Sequence, residues 1–370
     1  MAHTKFIPIA EPSFCGNELR YITQAIESGW ISSKGAFIEK FEKEFAKYCN
    51  VKYASSCCNG TAALHLALKA LEIKKGDEVI VPNLTFISTA NAAVFCNAKP
   101  VFVDCEKDHW CIDPEKIEEK ITDKTKAIIP VHLYGHPCNM DKINNIAKKY
   151  DLYVIEDAAE AHGAEYKGKK VGSLGNAAIF SYYGNKIITT GEGGMVTSNN
   201  KGFIERVNIL KNHGMDLHKK YWHNEIGFNY RLTNLQAAFG LAQLQCIDKF
   251  IKRKREIAYY YNKLVSESGL IEIQKEDKDC KHVFWQYTVL LNKENRLKRD
   301  YLIQQLAKKN IETRPFFYPL TDMPPYKINE KFVVSVDVSY RGISLPSFIK
   351  LQEQEMETIV NAIKSILKYR

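Results

Sequence analysis

The sequence predicts an α/β fold: a large three-layer α/β/α domain on a mostly parallel sheet, followed by a smaller α+β domain. Three observations predict it. Short apolar runs alternate with helical patterns as far as about Asn234. Several of those runs are apolar at consecutive positions, as strands buried on both faces are. Beyond Asn234 the pattern changes to long helices with few strands, the mark of a second unit.

Taken in order, the strand candidates are Glu78-Val79-Ile80-Val81, Pro100-Val101-Phe102-Val103, Lys126-Ala127-Ile128-Ile129-Pro130-Val131, Tyr153-Val154-Ile155, Ala177-Ala178-Ile179-Phe180 and Met195-Val196-Thr197. Helical patterns lie between them at residues 61–71, 88–96, 114–121 and 141–150. One long helix is expected over residues 235–264, then a strand at 283–290, a helix at 299–309, a proline-rich loop at 314–326 and a terminal helix at 351–367. The expected division is a large cofactor-binding domain at 1–245 and a small domain at 246–370. No Gly/Ser-rich linker separates them, so the two are expected to pack firmly.

The chain of 370 residues is 45% hydrophobic and 26% charged, which suits a globular protein with a substantial core. The net charge of +9 comes from lysines dispersed among acids, as in Glu115-Lys116-Ile117-Glu118-Glu119-Lys120. That pattern argues for a solvated surface and against nucleic-acid binding, while the field still favours an anionic substrate. Ten cysteines are scattered without a C-x-x-C pair, and no apolar leader opens the sequence. Reduced thiols in a cytoplasmic protein are therefore expected. No run approaches the roughly 18 apolar residues of a membrane span.

The chemistry concentrates in Phe180-Ser181-Tyr182-Tyr183-Gly184-Asn185-Lys186, which places Lys186 in a glycine-rich turn directly after an apolar run. Upstream, Val154-Ile155-Glu156-Asp157 ends a strand in a carboxylate. A Schiff-base lysine and an acid at a strand end are the minimal apparatus for pyridoxal phosphate chemistry. Lys186 alone reads as one surface lysine among many, and Asp157 alone as a strand-to-loop aspartate. Together they suggest a covalent lysine and an anion partner for the pyridine nitrogen. Asn59-Gly60-Thr61 opens a helical run and reads equally as a phosphate cup or as a plain helix cap. Ser181 could add a hydroxyl to the phosphate, and Phe86 could stack on the ring or belong to the core. His132, His136 and Cys138 lack the spacing of a metal site, so no metal is expected.

Together the segments resemble the DegT/DnrJ/EryC1/StrS sugar aminotransferase family of fold-type I pyridoxal phosphate enzymes. The resemblance rests on Asn59-Gly60-Thr61-Ala62-Ala63-Leu64-His65, Gly76-Asp77-Glu78-Val79-Ile80-Val81-Pro82 and Pro130-Val131-His132-Leu133-Tyr134-Gly135. It continues through Ile155-Glu156-Asp157-Ala158-Ala159-Glu160-Ala161, the stretch from Gly184-Asn185-Lys186 to Gly194, Gly227-Phe228-Asn229-Tyr230-Arg231-Leu232-Thr233-Asn234, and Arg314-Pro315. It implies an aspartate-aminotransferase-like fold, with Lys186 as the Schiff-base lysine, Asp157 as pyridinium partner and Glu160 near the ring hydroxyl. Gly60, Thr61 and Ser181 would hold the phosphate, joined by Asn229 from a neighbouring subunit in a homodimer with shared sites. Trp30, Ser32, Ser33, Arg314 and Tyr318 would line the substrate side.

The implied reaction moves the amino group of L-glutamate, through pyridoxamine phosphate, to a nucleotide-linked 4-keto-6-deoxysugar, most nearly a GDP-linked one, for surface polysaccharide. UDP- or dTDP-linked ketosugars, or a small phosphorylated ketone such as dihydroxyacetone phosphate, are alternative acceptors. A sugar 3-dehydratase is disfavoured because those relatives carry His where this chain has Lys186, and a non-catalytic regulator because the lysine, aspartate and phosphate cup are all present. One departure stands out: relatives read Pro-Met-His where this chain has Thr321 at the expected histidine.

Overall fold

The computed structural model describes residues 5–368 apart from 217 and 267. Its strands up to Ser198 are β1 (Tyr53–Cys57), β2 (Glu78–Pro82), β3 (Lys99–Val103), β4 (Thr125–Ile128), β5 (Tyr153–Asp157), β6 (Glu165–Tyr166), β7 (Lys169–Lys170), β8 (Ala177–Ser181) and β9 (Gly194–Ser198). Seven of these form one sheet in the order β1-β9-β8-β5-β4-β2-β3. The run from β3 to β8 is parallel, and β9 lies antiparallel between β8 and β1. β1 therefore runs the same way as the parallel set.

Three helices cover one face of this sheet: α3 (Gly60–Ala70), α4 (Ser88–Phe95) and α6 (Lys201–Lys211). The other face packs against α1 (Asn17–Glu27), α2 (Ala36–Cys49), α5 (Met140–Tyr150) and α7 (Asn234–Leu244). Alternate strand residues serve the two cores: Val79, Ala127, Ile155 and Ile179 face one, and Ile80, Ile128, Val154 and Ala178 the other. Consecutive apolar residues are what such a doubly covered sheet requires.

The second layer carries β10 (Ile271–Ile273), β11 (Cys280–Lys281), β12 (Tyr287–Leu291), β13 (Arg314–Pro315) and β14 (Gly342–Leu345), with α8 (Ile247–Ser266), α9 (Arg299–Ala307), α10 (Val333–Arg341) and α11 (Glu353–Lys368). β10-β12-β14-β13 form an antiparallel sheet, whereas β11 joins β6 and β7. α8 links the layers. Its Phe250 and Ile251 pack into the large core and its Ile257, Tyr261 and Val265 into the small one, where Ile7 of the N-terminal segment also packs.

Four expectations need correction. The single helix expected at 235–264 is broken at Gln245 and Cys246 into α7 and α8. Residues 114–121 form two short 3₁₀ turns, Pro114–Lys116 and Glu118–Lys120, because Ile121 turns extended. β1 has no counterpart among the expected strands: its serines are buried by hydrogen bonding, Ser55 Oγ to Asn208 at 2.7 Å and Ser56 Oγ to Glu42 at 2.7 Å. Finally, the cysteines are not all thiols. Cys15 and Cys246 form a disulfide that ties the segment before α1 to the α7–α8 junction.

Candidate active site

In an open parallel sheet, ligands bind beyond the carboxyl ends of the strands. Here that edge holds Asn59-Gly60-Thr61 after β1, Phe86 and Thr89 after β2, Asp157 at the end of β5 and Ser181 at the end of β8. All of them line one cavity of about 530 Å³. Lys186 and Glu160 line it as well, and Tyr134, Trp285, Gln286, Arg314 and Phe317 complete it. The size falls in the range of small-molecule sites.

Lys186 sits in the turn after β8. Its N–H donates to the Tyr183 carbonyl at 2.9 Å, and the turn is pinned by Tyr182 N–H to Gly193 O at 2.8 Å. The side chain keeps part of its surface open to the cavity while its amine is enclosed by protein. Burial pushes this amine below the ordinary lysine range, and the Glu160 and Asp157 carboxylates oppose that shift.

Asp157 is nearly inaccessible, yet well provided with donors. Thr89 Oγ1–H donates to its Oδ2 at 2.8 Å, and the Ala159 N–H to its Oδ1 at 3.2 Å. Burial raises its pKa, and these donors pull it back. Glu160 accepts the Tyr134 N–H at 2.7 Å, and burial pushes it up to about 7. Glu156, the β5 neighbour of Asp157, lies fully buried with His132 at 3.0 Å and the Gly172, Leu174 and Gly175 N–H groups. His132 is thereby occupied as a structural partner.

The cavity is also lined by the start of α3. Asn59 caps it, its Oδ1 accepting the Ala62 N–H at 2.8 Å, which leaves Gly60 and Thr61 in the helix's unsatisfied first turn. Thr61 Oγ1 and Ser88 Oγ lie 2.8 Å apart. A Cβ at Gly60 would come within 2.8 Å of the Ser181 Cβ, so glycine lets the helix start approach β8. Helix N–H groups with three hydroxyls suit a phosphate.

Aromatic rings close the cavity. Tyr134, held at φ 54°, stacks on Phe317 at 5.3 Å and on Trp285 at 5.9 Å. Phe86, half exposed, lies 6.0 Å from Phe317. The residues present fit pyridoxal phosphate: an amine, a carboxylate, a hydroxyl-lined helix start and ring surfaces converge, and the Asn185 Oδ1 is buried beside them with no protein partner.

The family model for the DegT/DnrJ/EryC1/StrS aminotransferases matches residues 13–364. The chain belongs to this family. GDP-perosamine synthase of Escherichia coli O157:H7 is 49% identical over 97% of this chain and 98% of its own, and that of Caulobacter vibrioides 46% over 98% of each. Among solved structures, the aminotransferase from Psychrobacter cryohalolentis superposes with a TM-score of 0.90 at 32% identity, covering 99% of both chains. The PLP form of Spr1654 from Streptococcus pneumoniae does so at 0.92 and 27%, also over 99% of both. This protein is a pyridoxal-phosphate-dependent aminotransferase of fold type I.

Of the expected site residues, Lys186, Asp157, Glu160, Gly60, Thr61, Ser181, Phe86 and Arg314 meet in the cavity. Five are not among its lining residues. Trp30 and Ser32 are exposed, with their carbonyls held by Asn234, and Ser33 follows them partly buried. Asn229 is exposed on a bridge to Asn212. Tyr318 packs instead near Arg299 and Tyr340. Thr321 is buried away from the cavity, with its N–H on Asn83 Oδ1 at 3.0 Å. Thr89, Trp285 and Gln286 escape the sequence reading, because they stand alone in segments with no site pattern. Tyr134 lies inside a recognised segment, but no local pattern assigns it a role.

Proposed function

We propose that Lys186 is the covalent attachment residue, that L-glutamate is the amino donor, and that the acceptor is a GDP-linked 4-keto-6-deoxysugar destined for surface polysaccharide. One observation carries the reading: Lys186, Asp157 and Glu160 line a single cavity together with the hydroxyl-lined start of α3. The GDP-perosamine synthases, similar over their whole length, support the acceptor.

When bound, pyridoxal phosphate supplies an electron-withdrawing ring that carries the amino group between donor and acceptor. Asp157, its anion favoured by the Thr89 and Ala159 donors, would face the pyridine nitrogen and keep it protonated. Gly60, Thr61, Ser88 and Ser181 would hold the phosphate. Lys186, its amine brought toward neutrality by burial, would take the α-proton of the amino donor and, in the second half, deliver a proton to the acceptor carbon that gains the amino group. Phe86 and the stacked Tyr134 and Phe317 would orient flat groups and exclude water. Arg314, at the exposed rim, suits an anionic substrate group.

Residues 1–245 would form the cofactor unit and 246–370 the smaller one. Asn229, Trp30, Ser32 and Ser33 would complete the site of a second copy in a homodimer, and Tyr318 would reach substrate only through a change in its packing. The expected location is the cytoplasm. No described helix is long and apolar enough to cross a membrane.

The test loads the enzyme with the amino group of L-glutamate and asks which ketone restores the starting absorbance. GDP-4-keto-6-deoxymannose should do so fastest among GDP-, UDP- and dTDP-linked ketosugars and dihydroxyacetone phosphate. Recovery with dihydroxyacetone phosphate alone would contradict the proposed acceptor.

A further inference from the structure

As the attachment residue, Lys186 would have a free amine for part of the reaction, and that side chain would need a resting place beside the cavity. The structure provides a surface for it. Lys186 Nζ lies 3.8 Å from the centroid of the Trp285 ring, within the range of a cation–π contact. That ring is fixed. Trp285 is 5% exposed, its Nε1–H donates to the Asn185 carbonyl at 2.8 Å, and its backbone N–H donates to the Tyr134 carbonyl at 2.9 Å. The Tyr134 ring stacks on the indole with 15° between the planes. Trp285 thus spans from the turn that carries Lys186 to the loop whose N–H holds Glu160.

Other groups around the amine do not do this work. Asp157 and Glu160 attract the ammonium, but both belong to the wall that would face the cofactor. His162 is fully buried, and burial together with the Lys186 charge keeps it neutral, pushed down to about 3. It carries no charge of its own. A desolvated aromatic face attracts an ammonium without forming a bond that must later be broken.

We propose that Trp285 is a positioning residue for Lys186: its indole face holds the released ammonium beside the cavity between the two halves of the reaction. The proposal rests on the reading of Lys186 as the attachment residue.

The test uses cofactor-free protein first. The pH dependence of Lys186 acetylation by acetic anhydride, followed by peptide mass spectrometry, gives the midpoint of that one amine. Removing the indole removes attraction for the ammonium, so the midpoint should fall by about one unit in Trp285→Leu and by about half a unit in Trp285→Phe, which keeps a weaker ring face. Exposed lysines in the same digests should keep their midpoints. In the loaded enzyme, kcat should fall several-fold with KM unchanged, and Trp285→Phe should recover most of the loss.

Unshifted or raised midpoints in both variants would overturn the proposal. If Trp285→Leu does not fold, the Trp285→Phe midpoint decides alone. Borohydride reduction of the loaded wild type separates the two ideas. A label away from Lys186 removes the attachment reading, whereas a label on Lys186 with unshifted midpoints removes only the role of Trp285.

Discussion

Two carboxylates three residues apart act on the Lys186 amine with different sets of donors. Asp157 receives a hydroxyl and a backbone N–H, whereas Glu160 receives one backbone N–H. Burial raises both; the extra hydroxyl donor favours the Asp157 anion, while Glu160 is pushed up to about 7. The folded state holds the Glu160 proton up to about pH 7, while the unfolded chain releases it near the usual 4.5. Its contribution to stability is therefore lost as pH rises across that window. Glu160→Gln should remove this decline in denaturant midpoint between pH 5 and 8, together with any limb near pH 7 in the kcat profile. A parallel decline in wild type and variant would assign it elsewhere.

Residues legible in the sequence are those in compact segments, such as Ile155 to Ala161 and the turn at Lys186. Thr89 and the adjacent pair Trp285 and Gln286 reach the cavity from distant parts of the chain, and only the folded path shows that they meet. Trp30 and Asn229 show the converse. Their segments match the family, but a single chain leaves them outside its own cavity.

At the scale of elements, β5 divides its last two residues between the sheet's faces. Asp157 turns to the cavity, and Glu156 is buried beneath with four hydrogen-bond partners. Glu156 thereby ties β5 to the segment leading into β8, the two strands whose ends present Asp157 and Ser181. Removing a fully buried, paired carboxylate strands its donors. Glu156→Ala should lower unfolding free energy by about 3–5 kcal/mol, measured by urea denaturation. A loss below about 1 kcal/mol would show that these donors find other partners.

The elements legible in the sequence are the doubly buried strands, because an unbroken apolar run has few other uses. β1 escapes because Tyr53-Ala54-Ser55-Ser56-Cys57 is a strand by hydrogen bonding rather than by apolar pattern. The break between α7 and α8 escapes because neither Gln245 nor Cys246 is a helix breaker. The helix nevertheless turns there, where Cys246 is bonded to Cys15.

For the whole molecule, the chain leaves large apolar side chains in water: Leu19 and Ile26 on α1, Trp30 beyond it, and Tyr221, Trp222 and Ile226 in the segment before α7. The proposed homodimer would cover them and bring Asn229 to the second site. Sedimentation should give twice the 42.4 kDa chain mass at micromolar concentration. Asn229→Ala should weaken cofactor retention without changing that mass. A monomer with full activity would exclude shared sites.

The central claim is that Lys186 alone bonds the cofactor. Its most direct measurement is borohydride reduction of the pyridoxal-phosphate-loaded enzyme, then peptide mass spectrometry of wild type and Lys186→Ala. The account predicts a phosphopyridoxyl label on the peptide containing Lys186 in the wild type and none on any peptide of the variant. A label on another lysine, or a variant that keeps its label and its turnover, would contradict it.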